Sequence, residues 1–118
     1  YPNLRFSMSK EHEFATGQRM TSDQWFVSEV NNRAVALEVS FQETTNSTIE
    51  RKRRDAQNRQ RLFPINVVSA FVLDGVGTLD HRHNAVRDII QYSDIVVSAR
   101  PDQVEYLGRF IGNFLSGN

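Results

Sequence analysis

The side chains with most to offer chemistry are two carboxylates and a block of cations. Asp23 lies in RMTSDQWFVSEV (19–30) and Glu38 in RAVALEVSFQ (33–42), with Asn31-Asn32 between them. The Trp, Phe and Val content of both runs favours strands. Asparagines tolerate a left-handed backbone, so the pair predicts a two-residue hairpin loop. With that turn, paired residue numbers sum to about 63, which puts Asp23 opposite residue 40 and diagonal to Glu38, about 7–8 Å away at the backbone. Two carboxylates reaching from there can share one divalent cation. Hard oxygen donors suit Mg2+, which is held by one or two carboxylates together with waters and phosphate oxygens. The cations follow at residues 50–61, ERKRRDAQNRQR: six basic and two acidic groups, +4 in a chain of zero net charge, so the remainder is −4. Arg51, Lys52, Arg53 and Arg54 would stand at a helix N-terminus near the same end of the strand as Glu38. An acid pair beside a cationic helix is a layout for phosphodiester cleavage, in which cations steady the charge on the phosphate. The plainer alternatives stay open: surface acids on a half-solvated sheet, and a solvated helix face.

These groups need elements to hold them. Residues 9–14 read as a short helix capped by Ser9. In the strand over 33–42, Val35, Leu37, Val39 and Phe41 point one way, and Ala34, Ala36, Glu38, Ser40 and Gln42 the other. A sheet covered on both sides tolerates the alanines but not Glu38, unless that side chain has a partner or a metal. Ser47-x-x-Glu50 reads as a capping box, and the helix after it should run from about Thr48 to Leu62, ending before Pro64. Its apolar stripe is thin: Ile49, Ala56 and Phe63, with Leu62 beside them. Residues 66–73, NVVSAFVL, read as a strand buried on both faces, closed by a turn at Asp74-Gly75-Val76-Gly77. A helix over 82–92, a strand over 94–98 and a helix from Pro101 to the end complete the pattern. In the last helix Val104, Leu107, Phe110, Ile111, Phe114 and Leu115 form an amphipathic stripe. The fold class is therefore α/β, a mixed four- to five-stranded sheet flanked by helices on both faces.

Composition narrows the remaining choices. The 118 residues, 39% hydrophobic and 24% charged, make a single domain over residues 1–118, able to bury roughly 65% of its unfolded surface. There is no cysteine, which excludes disulfides, thiolate metal sites and a cysteine nucleophile. Nor is there an apolar run long enough for a membrane span. The chain opens on Tyr1 rather than Met, as a piece of a longer protein would, and shows no secretory leader; the expected location is the cytoplasm. His12, His81 and His83 have no evident partners, although Asp80 flanks the last two. Gly75-x-Gly77 is too short for a dinucleotide-binding loop and reads as a turn.

Three segments carry a family resemblance: Glu38-Val39-Ser40-Phe41 leading through a polar loop into the basic helix, Leu73-Asp74-Gly75-Val76-Gly77 closing the next strand, and Tyr92-Ser93-Asp94 after the next helix. Together they resemble the catalytic core of type II restriction endonucleases of the PD-(D/E)XK superfamily, in particular enzymes that cut GATC-type sites. The likeness covers residues 20–98. It implies a restriction-endonuclease-like fold and Mg2+-dependent hydrolysis of phosphodiester bonds in double-stranded DNA by a homodimer. Asp23 and Glu38 would be the metal carboxylates. Family members usually carry lysine two residues after the second acid, where this chain has Ser40. Gln42, on the same strand face as Glu38, would then orient the attacking water, and Lys52 would supply the missing cation. Arg51, Lys52 and Arg54 would hold DNA through its phosphates, with steep salt dependence. The stripe over 104–115 is the surface nominated for dimer contact. The competing reading is a non-catalytic α/β module, a decayed nuclease that binds DNA or another protein without cutting.

Overall fold

In a computed structural model, the residues described are 6–13, 17, 19–40, 46–73 and 83–117. Strands β1 (Phe6–Glu13), β2 (Arg19–Ser28) and β3 (Ala34–Ser40) lead into helix α1 (Asn46–Leu62). Strand β4 (Val67–Leu73), helix α2 (His83–Tyr92), strand β5 (Ile95–Ser98) and helix α3 (Pro101–Leu115) follow. All five strands form one sheet in the order β1-β2-β3-β4-β5. The first three pair antiparallel, and β3, β4 and β5 pair parallel, as crossovers through α1 and α2 require. The expected mixed α/β sheet is thus present, with five strands.

The local readings differ from this arrangement in three places. Residues 9–13 belong to strand β1, not to a helix: the Ser9 hydroxyl donates to the Glu11 carbonyl (2.6 Å), at a bulge where the pairing with β2 shifts. The neighbouring strand supplies backbone partners that an isolated helical turn would lack. The β2–β3 loop is also longer than Asn31-Asn32. Ser28 N–H donates to the Arg33 carbonyl (3.0 Å), which leaves residues 29–32 as the loop. The Ser28 hydroxyl starts the turn early by accepting from the N–H groups of Val30 (3.3 Å) and Asn31 (2.9 Å). Pairing therefore runs Gln24 with Leu37, Trp25 with Ala36, Phe26 with Val35 and Val27 with Ala34. Continued by one residue, that register sets Asp23 directly opposite Glu38, not diagonal to it. Finally, α1 begins at Asn46, ahead of the expected Thr48, and Glu50 accepts from Arg53 Nε (2.9 Å), while the Ser47 side chain lies outside what is described.

Both sheet faces are covered. On one side Val35, Val68, Ala70, Val72 and Val97 pack against Leu107 and Leu115 of α3, with Phe110, Ile111 and Phe114 around them. Most of the α3 stripe nominated for a dimer contact is thus turned onto this sheet; Val104 alone of it is largely exposed (45%). The C-terminal carbonyls of α3 are held by the β2–β3 loop: Asn31 Nδ2 donates to Leu115 O and Arg33 Nη1 to Phe114 O, both 2.9 Å. Gly117, at φ +89°, then turns the chain beyond the helix.

The opposite face carries α1 and α2. Ala56 of α1, Phe71 of β4 and Ile89 of α2 are fully buried together. Beside them Trp25, Ala34, Ala36 and Val67 form a second cluster with Phe63. Alanine at 34 and 36 leaves room for the indole of Trp25, which sits across from Ala36 and meets the Phe63 ring at 5.6 Å. Leu62, expected beside the stripe of α1, is half exposed (48%). Positions three and four residues from Ala56 on the sheet-facing side of α1 are Arg59 and Lys52, two cations pressed against the sheet.

Candidate active site

Because side chains alternate along a strand, Asp23 shares the face of Trp25, and Glu38 that of Ala36. Both carboxylates therefore point to the α1 side at the end of the antiparallel pairing. Asp23 Oδ2 accepts from the backbone N–H of Val39 (2.8 Å), which locks the two strands at this point. Glu38 is buried, with its two oxygens in different company. Oε1 meets Arg59 Nη2 at 2.5 Å and the Ser22 hydroxyl at 3.2 Å; Oε2 meets Lys52 Nζ at 2.9 Å. Lys52 Nζ also lies 3.5 Å from Asp23 Oδ2, so one ammonium stands between the two carboxylates. Its approach is aided by the face of Phe71, whose ring centre is 5.9 Å away.

Burial pushes the Glu38 carboxyl up and is the largest single influence on it. The charge of Arg59, with hydrogen bonding by Lys52, Arg59 and Asp23, together outweighs burial and holds it at about 2. Glu38 is accordingly ionised at any ordinary pH. The sheet tolerates it through paired cations, which meets the requirement read from the strand alone.

Around this cluster is a cavity of about 220 Å3 lined by Thr21, Ser22, Asp23, Glu38, Arg51, Lys52, Asp55 and Arg59. Arg51 is exposed at its rim and Arg54 is exposed on α1. Asp23, Glu38, Lys52 and Arg51 are thus brought together. Gln42 lies outside the described residues, as does the Asp74–Gly77 turn, and of Ser40 the strand position alone is described, paired with Leu73. The His12 ring meets that of Trp25 at 4.9 Å in a tilted arrangement, where partial burial lowers its pKa. Asp94 accepts from Ser69 N–H (2.8 Å) and ties β5 to β4. Arg53 spans from Glu50 to Asp88 and fastens α1 to α2. A larger hollow of about 380 Å3 follows α3 among Tyr106, Arg109, Phe110, Asn113 and Phe114, and it carries no carboxylate.

Arg59 was not legible as a site residue among the six cations of its segment. Its signal was the helical period: it stands three residues after the buried Ala56, on the face that meets a strand containing an acid. Its guanidinium is almost wholly buried; Nη2 also donates to Thr21 O (3.2 Å), and Nη1 has no hydrogen-bond partner among the described residues.

Among the described residues no three His, Cys, Asp or Glu side chains gather into a ready metal cage. The donors that are present still fit Mg2+. That ion takes one or two carboxylates and completes its shell with water and phosphate oxygens. Asp23 and Glu38 both meet Lys52 Nζ, so the two carboxylates face a common point in the cavity.

The model of the BanI C-terminal domain family matches residues 4–115. The chain belongs to that family. It is 44% identical over 84 residues to the type II restriction enzyme HgiCI of Herpetosiphon aurantiacus, a match covering 70% of this chain and 24% of that protein. To the type II restriction enzyme BanI of Aneurinibacillus aneurinilyticus it is 34% identical over 96 residues, covering 80% of this chain and 27% of that enzyme. The chain therefore spans about a quarter of the length of the curated relatives it matches. No solved structure matches it significantly. No helix among the described residues is long and apolar enough to cross a membrane.

Proposed function

We propose that this chain carries the catalytic centre of a metal-dependent, type II restriction endonuclease, with an active site of the PD-(D/E)XK kind. The observation that carries the reading is Lys52 Nζ between Asp23 and Glu38, on the rim of a basic helix. It supplies from α1 the cation that Ser40 lacks on β3. The relatedness to two type II restriction enzymes supports the same reaction class.

Asp23 and Glu38 would hold Mg2+. When bound, the ion supplies Lewis acidity toward the scissile phosphate and a more acidic water. Lys52 would turn from the carboxylates toward the phosphate oxygens and steady the charge that builds there. Gln42 would orient the attacking water. Arg51, Lys52 and Arg54 would clamp the phosphates on either side of the cut, giving binding that weakens steeply with salt. A duplex has two strands to cut, so a homodimer with two such sites is the assembly that suits it. The cytoplasm is the compartment where such an enzyme meets DNA.

The deciding experiment digests plasmid DNA with Mg2+ or Mn2+, comparing wild type with Glu38→Ala. Wild type should cut and Glu38→Ala should not, while a gel shift shows both still binding DNA. Mapping the cut ends tests the GATC expectation directly. If Glu38→Ala cuts as fast as wild type, the catalytic centre is elsewhere. Salt-sensitive DNA binding without cleavage by wild type would establish the decayed-nuclease alternative instead.

A further inference from the structure

Resting on the reading of Asp23 and Glu38 as cation ligands, we infer that Arg59 is a positioning residue that makes Glu38 a one-oxygen ligand and so selects small divalent cations over Ca2+. Glu38 has two oxygens, and they are not equivalent. Oε1 is engaged by Arg59 Nη2 at 2.5 Å, with the Ser22 hydroxyl 3.2 Å away. The Ser22 proton is directed mainly at Leu37 O, the nearer acceptor at 2.8 Å, so Arg59 is the principal lock on Oε1. Oε2 faces Lys52, the exchangeable cation of the cavity.

A two-oxygen grip on a metal would require Oε1 to leave Arg59. That guanidinium is nearly fully buried, and the same Nη2 that meets Oε1 also donates to Thr21 O, which holds it in place. Its Nη1 is already buried without a partner among the described residues. Buried ion pairs with an unsatisfied nitrogen are weak contributors to stability compared with apolar packing. Fixing the orientation of Glu38 is a role that an apolar side chain at position 59 could not fill.

The consequence for ion choice follows from coordination chemistry. Ca2+ takes six to eight oxygens at longer distances and uses two-oxygen carboxylates readily, whereas Mg2+ and Mn2+ suit octahedral sites built from single carboxylate oxygens and waters. Removing the Arg59 charge strengthens binding of every divalent ion alike, since all carry the same charge. Freeing Oε1 favours Ca2+ in particular. The ratio of the two affinities therefore separates positioning from simple electrostatics.

The test is titration calorimetry of the purified protein with Mn2+ and with Ca2+, in wild type, Arg59→Gln and Arg59→Lys, with Glu38→Gln as the control that should lose binding of both. In Arg59→Gln the affinity for Ca2+ relative to Mn2+ should rise about tenfold, with Arg59→Lys closer to wild type. An unchanged ratio in a folded variant overturns the inference while leaving the metal site itself standing. If Arg59→Gln does not fold, infrared difference spectra of wild type with Mn2+ decide, after subtraction of the Glu38→Gln spectrum. A wide separation of the two carboxylate stretches marks one-oxygen ligation, and a narrow one overturns the inference. Should wild type bind no Mn2+ at all, both this inference and the metal-dependent function fall together.

Discussion

Removing the charge of Glu38 without changing its shape should make the protein less stable at neutral pH and leave it nearly unchanged in acid. The carboxyl is held at about 2, against an ordinary value of 4.5, although burial alone would push it the other way. At about 1.4 kcal/mol per pH unit, that difference corresponds to roughly 3 kcal/mol of folding free energy. Since the folded-state value lies below the unfolded one, this stabilisation is fully present above about pH 4.5 and is lost as pH falls through about 2. Glu38→Gln carries none of it, and additionally leaves Arg59 without the Glu38 counter-charge and Lys52 with Asp23 in its place. Urea denaturation in the presence of a chelator, at several values between pH 7 and pH 2.5, measures the difference. The variant should be less stable by roughly 3 kcal/mol at pH 7, with the gap shrinking through the acid range. A gap that stays constant with pH, or its absence at pH 7, would refute the account of Glu38 as a buried carboxylate held by two cations.

Trp25, fully buried on β2 among Ala34, Ala36, Val67 and Phe63, should lose about 3–5 kcal/mol of stability when changed to Ala, read by chemical denaturation. A loss under about 1 kcal/mol would place the indole outside the core. Replacing Lys52 by Met should reduce cleavage by about 100- to 1,000-fold while DNA binding persists, a split that single-turnover kinetics with a parallel gel shift can resolve. Arg51→Gln and Arg54→Gln, both at exposed positions, should leave the melting temperature unchanged. Each should make the salt dependence of DNA binding shallower by about one ion in the log–log slope. An unchanged slope would remove α1 from the DNA-facing surface.

The order of strands and helices after residue 19 is local information. Strand-forming runs, Pro64, Pro101 and the apolar stretch at 67–73 state it in the sequence, because each element's backbone preference and hydrophobic period act over a few residues. The inward alternation of Ala34, Ala36 and Glu38 could be read in the same way, and with it the demand that Glu38 have a partner. Lys52 was singled out through the family resemblance alone, which implies a cation from the following helix where this chain has Ser40. Three decisions were left to the tertiary structure. Strand β1 formed where the sequence read as a short helix, because a short segment's propensity is weak and the edge of β2 offered backbone partners. The β2–β3 register depended on the Ser28 hydroxyl accepting from the Asn31 N–H, which starts the turn early, and this small shift set Asp23 opposite Glu38. The identity of the cation behind Glu38 depended on how α1 is rotated on the sheet. Packing of Ala56 against Phe71 and Ile89 fixes that rotation, and only then does Arg59 come to rest on the carboxylate beside Lys52.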